Sequence, residues 1–143
     1  MSLHGKYDDE NIFAKILSGD MPCVKVYGDA NVLAIMDVFP QSEGHVLVIP
    51  RAPSRNLLEL EAKDIGRLFG TVQRISQAVE KALSPDGIIV TQFNGAPAGQ
   101  TVFHTHVHII PRYAGKTNAP HGSGQMADMD ALDVIAAKIR AAL

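Results

Sequence analysis

The chain has a single cysteine, Cys23, so no disulfide can form within it, and a lone thiol suits a reducing compartment. It has no basic block either: 13 Lys and Arg stand against 15 Asp and Glu, a formal charge of −2. Bulk attraction to nucleic acid or to an anionic membrane surface is therefore not expected. No apolar run approaches the ~20 residues needed to span a bilayer. The opening Met1-Ser2-Leu3-His4-Gly5-Lys6 lacks the apolar core of a secretion signal. Internal repeats and low-complexity segments are missing too. These absences leave the expectation of a soluble, cytoplasmic protein. With 143 residues and an apolar fraction of 46%, it can form one domain with a real core.

The residues present predict an alternation of short elements. Asp8-Asp9 precede Ile12, Phe13, Ile16 and Leu17 at helical spacing, and Gly19 follows as a stop. Val24 to Tyr27 and Val32 to Met36 read as a hairpin turned at Gly28–Asn31. Asp37 to Gly44 is a loop, and His45 to Ile49 is a third strand ended by Pro50. The longest element is a helix over 61–83, with Ile65, Leu68, Phe69, Val72, Ile75, Val79 and Leu83 on one face. Ile88 to Phe93 is a fourth strand, the stretch from His104 a fifth, and 129–142 a C-terminal helix. Residues 1–8 are expected to be flexible and 113–128 irregular. The order predicts an α+β fold over 1–143: a five-stranded, mainly antiparallel sheet with helices on one face. Its open edge suits pairing with a second copy.

Three of the six histidines fall within five residues, His104-Thr105-His106-Val107-His108. On a strand their imidazoles would project from one face, with Thr105, Val107 and Ile109 on the other. Imidazole can act as nucleophile, acid, base or ligand near neutral pH. On a straight strand at ~3.3 Å per residue the outer pair would be about 13 Å apart, too far to share an ion bound at ~2.0–2.1 Å. Two of them with an outside ligand such as His45 would still serve a metal. Covalent catalysis makes a different demand: a central histidine, His106, flanked by groups that orient it or move protons. The loop ahead, Asn94-Gly95-Ala96-Pro97-Ala98-Gly99-Gln100-Thr101, has small residues that let amides approach an anion. Gln100 and Thr101 add neutral donors. Alone this loop could be a plain surface turn; its position before the histidines points to phosphate.

His104-Thr105-His106-Val107-His108-Ile109-Ile110 resembles the histidine triad signature of the HIT superfamily. Gly99-Gln100-Thr101-Val102-Phe103 and the block Asp37-Val38-Phe39-Pro40-Gln41-Ser42-Glu43-Gly44-His45-Val46-Leu47-Val48-Ile49-Pro50 resemble it too. The likeness runs from about Ile12 to Arg112, in the branch of Hint-type phosphoramidases and bacterial HIT-like proteins. It implies a single HIT domain whose subunits join sheets into a ten-stranded sheet across a homodimer. It implies hydrolysis of purine ribonucleotides substituted at the α-phosphate, either nucleoside 5′-phosphoramidates or dinucleoside polyphosphates. AMP or GMP would be released through a nucleotidyl-histidine on His106. The same resemblance makes His104 and His108 the flanking members and His45 an upstream histidine near them. Asp37 becomes the ribose acid, Phe13, Ile16, Ile35 and Val38 the base slot, and Asn94, Gly99, Gln100 and Thr101 the phosphate surroundings.

The departures from the family pattern carry expectations as well. Thr105 replaces a usually apolar residue. Asn11 and Ala14 stand where some bacterial relatives carry paired zinc-binding cysteines, so that zinc is not expected; the site is also expected to hold no metal and to require no cofactor. His108 stands where transferase relatives have Gln, which favours hydrolysis. The segment after Arg112 does not match the Trp-bearing tail of Hint-type proteins. Two further readings stay in view: a nucleotide sensor or partner-binding protein with weak residual hydrolysis, and a metal-binding protein.

Overall fold

The structure, a computed structural model, describes residues 2–119 and 125–143. Its helices are α1 (Ile12–Ser18), α2 (Ala62–Leu83) and α3 (Met129–Ala141). Its strands are β1 (Lys25–Gly28), β2 (Val32–Met36), β3 (Val46–Pro50), β4 (Gly87–Thr91) and β5 (Val107–Arg112). Every neighbouring pair is antiparallel, in the order β1-β2-β3-β5-β4. The predicted fold class is the one observed. Among the described residues no helix is long and apolar enough to cross a membrane.

The cap of α1 lies two residues later than Asp8-Asp9 suggest. Asn11 Oδ1 accepts the Ala14 N–H at 2.9 Å, and Gly19 ends the helix in the left-handed region. Asn11 thus serves as the helix cap.

Strands β2 and β3 are buried throughout because the sheet is covered on both faces. Val32, Ala34, Met36, Val46 and Val48 pack with Leu68, Val72, Ile75 and Val79 of α2 and with Leu132, Ala136 and Ile139 of α3. The alternate residues Leu33, Ile35, Leu47 and Ile49 pack with Phe13 of α1. Burial of each such aliphatic side chain is worth roughly 1.5–3 kcal/mol. The expectation of helices on one face holds for α2 and α3, whereas α1 lies on the other. Phe69 also departs from expectation: at 38% exposure it sits at the margin of the α2 stripe, outside the core.

The fifth strand is shorter than the histidine alternation predicts. It begins at Val107, leaving His104, Thr105 and His106 outside the sheet. Its partners run out. The last pair with β3 is Val48–Val107 and the last with β4 is Thr91–His108. β3 then ends at Pro50, which has no N–H to extend the ladder. His108 alone of the three stays in register, in a cross-strand row Ile35–Leu47–His108 on the α1 face.

Candidate active site

His106 is fixed by its own neighbourhood. Its Nδ1 lies 2.7 Å from the carbonyl oxygen of His104, which can only accept. The neutral ring therefore carries its proton on Nδ1 and leaves the lone pair on Nε2. The residue is 7% exposed, and its ring meets Phe13 edge to face, with centroids 4.7 Å apart. An oriented, unprotonated imidazole nitrogen beside a cavity is what nucleophilic attack requires.

His108 has the opposite arrangement. The Gln41 backbone N–H donates to His45 Nδ1 at 3.0 Å, so neutral His45 carries its proton on Nε2. That Nε2–H donates to His108 Nδ1 at 2.9 Å, and neutral His108 is left with Nε2–H. Asp37 completes the group, with Oδ2 3.4 Å from His45 Nε2 and Oδ1 accepting the Phe39 N–H at 2.8 Å. Asp37, His45 and His108 offer ligand atoms within 4.8 Å of one another. They do not fit a metal well. His45 Nδ1 already accepts a hydrogen bond, so a metal at Nε2 would have to displace the ring's proton and leave an imidazolate. The trio is better matched to proton placement.

His104 is fully buried and turned away from the cavity. Its Nε2–H donates to the Pro50 carbonyl at 2.8 Å, and the Tyr7 hydroxyl donates to its Nδ1 at 2.6 Å. Burial pushes this imidazole below its ordinary pKa, against the opposing effect of the Pro50 bond. Thr105 is buried as well. Its N–H donates to the Ser54 carbonyl at 2.9 Å, and its hydroxyl pairs with that of Ser54 at 2.7 Å. That bond satisfies the buried hydroxyl.

The cavity beside these rings measures about 280 Å³. Phe13, Ile16, Ile35, Asp37, Val38, Thr101, His106 and His108 all line it. His45 and His104 stand behind that lining. Three expected phosphate neighbours bond instead within their own loop or to the segment 55–57. Gln100 Oε1 accepts the Gly95 N–H, and its Nε2 donates to the carbonyls of Arg55 and Val102. The Gly99 N–H donates to Ala96, and Asn94 Oδ1 accepts from Leu57 N–H and Gln92. Their bonds shape the loop; Thr101 alone of the four reaches the cavity.

Sequence reasoning missed several contributors. Met21, Met36, Met126 and Met129, four of the five methionines, line the cavity together with Cys23. Met126 and Met129 arrive because the Ala127 N–H donates to the Val38 carbonyl at 2.8 Å, laying the tail beside the loop after β2. The expected irregular stretch 113–128 lies partly outside the described residues, as does His121. The N-terminal segment, expected to be flexible, is bonded to the body. Arg55 Nη2 donates to the Ser2 carbonyl and Asn56 Nδ2 to that of Leu3.

A HIT-like protein of Bartonella henselae involved in cell-cycle regulation superposes with a TM-score of 0.89 at 46% identity. The match covers 96% of this chain and all of that one. An adenosine 5′-monophosphoramidase of Schizosaccharomyces pombe is 40% identical over 113 residues, 79% of each protein. An adenylylsulfatase of Arabidopsis thaliana is 43% identical over 101 residues, 71% of this chain and 51% of that protein. The HIT domain family matches residues 18–115, and the chain belongs to that family.

Proposed function

We propose that this protein is a nucleotide hydrolase that cleaves purine ribonucleotides substituted at the α-phosphate through a nucleotidyl intermediate on His106 Nε2. The observation that carries the reading is the 2.7 Å contact of His106 Nδ1 with the His104 carbonyl, which leaves Nε2 as the attacking atom. The names of the fission yeast and Arabidopsis relatives support a nucleotide substrate. The base would lie among Phe13, Ile16, Ile35 and Val38, and the ribose hydroxyls would donate to Asp37. Loss of one bond to that carboxylate would cost roughly 1.5–3 kcal/mol, which disfavours deoxyribose. Nε2 of His106 bonds to phosphorus as the bond to the leaving group breaks. The Nε2–H of His108 and the Thr101 hydroxyl can donate hydrogen bonds to the phosphoryl oxygens, and the departing amine takes up its proton from solvent water. Water then breaks the P–N bond to His106 and releases the nucleoside monophosphate.

Asp37 is the one Asp, Glu, Lys or Arg among the described cavity residues. With no cation to neutralise extra phosphates, a singly charged phosphoramidate suits the cavity better than a dinucleoside polyphosphate. No step needs a metal. The protein would act as a homodimer joined at β4, the open end of the sheet, where Ile89 and Val90 are 38% and 46% exposed. The other edge, β1, is bulged after Lys25 and its Lys25 carbonyl is taken by Arg140.

The test is turnover of a fluorogenic adenosine 5′-phosphoramidate with a metal chelator present. The wild type should turn over and His106→Ala should not, while the variant still binds AMP. Turnover by the variant would remove His106 from the nucleophile's role. An inactive wild type that binds AMP tightly would favour a sensor.

A further inference from the structure

We propose that Tyr7 is a positioning residue of this site: through the His104 ring it holds the carbonyl that keeps the proton of His106 on Nδ1. The inference rests on His106 being the nucleophile and adds a residue that lies outside the cavity.

Residues 104–106 precede β5, so no strand ladder fixes the carbonyl that His106 depends on. Side chains and the 50–54 segment do so instead. Thr105 is tied to Ser54 through its N–H and its hydroxyl. The His104 ring is held from both ends, by the Pro50 carbonyl at Nε2 and by the Tyr7 hydroxyl at Nδ1. The direction of the second bond is settled by the first. Nε2 must carry the ring's proton to reach a carbonyl, so Nδ1 accepts and the phenol donates. Burial keeps the phenol protonated above its usual range and the imidazole neutral below its own. Tyr7 is itself delivered by an N-terminal strap whose Ser2 and Leu3 carbonyls accept from Arg55 and Asn56. Without the hydroxyl, His104 would be pinned at one end only. Its carbonyl could then swing away from His106, whose proton would be free to move to Nε2 and mask the attacking lone pair.

Tyr7→Phe removes one oxygen and keeps the ring that meets His104 edge-on at 5.7 Å. We expect kcat to fall about tenfold, since misplacement of an attacking group by a fraction of an ångström has effects on that scale. KM and AMP affinity should stay within about twofold, because the interaction lost is not one made with bound substrate. Nitrogen-15 spectra of the imidazoles supply a readout that a purely structural role would not move. His106 should be the Nδ1–H tautomer in the wild type and a mixture of tautomers in Tyr7→Phe. Three results would overturn the proposal: an unchanged kcat, a kcat loss that disappears once turnover is expressed per folded molecule, or a wild-type His106 protonated on Nε2. The spectra need no substrate. If the wild type proved inactive on the phosphoramidate, the functional reading would fail while the tautomer test still judged Tyr7.

Discussion

Gly19 and Gly44 offer a matched pair of substitutions that separates backbone strain from steric conflict. Both are in the left-handed region, with φ of 88° and 91°. An L-residue there costs about 1–2 kcal/mol. A Cβ at Gly19 would meet nothing within 4 Å. A Cβ at Gly44 would collide with Leu83 Cδ1 and lie 3.3 Å from Pro111 Cγ. Forcing atoms into packed surroundings adds about 1–3 kcal/mol. Gly19→Ala should therefore lose about 1–2 kcal/mol and Gly44→Ala about 2–5 kcal/mol. Urea unfolding with a common slope reads both values as shifts of midpoint. Equal losses would refute the reasoning, because they would mean that Leu83 moves aside at no cost. The position matters to the site: Gly44 turns the chain directly into His45, whose carbonyl accepts the Asp37 N–H at 3.0 Å.

Two further outcomes follow from named groups. His104 sits below its ordinary pKa in the folded state through burial, whereas an unfolded histidine takes up its proton near ~6.5. Below that pH the unfolded chain binds more protons than the folded one. Stability should therefore be greatest above it and fall on acidification by up to about 1.4 kcal/mol per pH unit. Denaturant midpoints that stay level from pH 7 to pH 5.5 would contradict this. At the sheet edge, Val90→Lys should convert a dimer to a monomer in sedimentation, since a buried charge opposes strand pairing across β4. Unchanged sedimentation of the variant would place the interface elsewhere.

Much of the fold was legible because its elements announce themselves by spacing. Helix α2 shows its buried face at every third or fourth residue, and β2 and β3 are apolar runs bounded by turns. Periodicity says nothing, however, of which neighbour covers a doubly buried strand, so the place of α1 on the opposite face could not be read. Phe69 failed for a related reason: it borders the apolar stripe, and packing alone decides on which side a marginal position falls. The histidines were legible as a group, yet their alternation is a property of the chain and not of a strand. Where β5 begins is decided by Pro50 and Thr91, the ends of its two neighbours. Gln100 looked like a phosphate donor by type and position, but the carbonyls that occupy its amide belong to Arg55 and Val102. Met126 and Met129 reach the cavity through one backbone bond to Val38, and nothing in their own sequence marks it.

The chemical division of labour among the histidines is the least sequence-encoded property of the site. His106 and His108 are identical side chains two residues apart, with ring centroids separated by 5.0 Å beside one cavity. The displacement proposed at phosphorus asks for a lone pair from one and a hydrogen-bond donor from the other, hence opposite tautomers in neighbouring rings. The structure meets that demand through partners of fixed character. The His104 carbonyl can only accept, so His106 keeps Nδ1–H. The Gln41 amide can only donate, and its effect passes through His45 to leave His108 with Nε2–H. Both controlling groups are backbone atoms, present in any sequence and not subject to titration. The neutral tautomers thus depend on where two peptide groups sit. Perturbations of loop 37–44, which carries the Gln41 amide, or of the 50–54 segment and the Tyr7 strap, which hold His104 in place, should alter the proposed turnover more than substitutions of comparable size along the apolar wall.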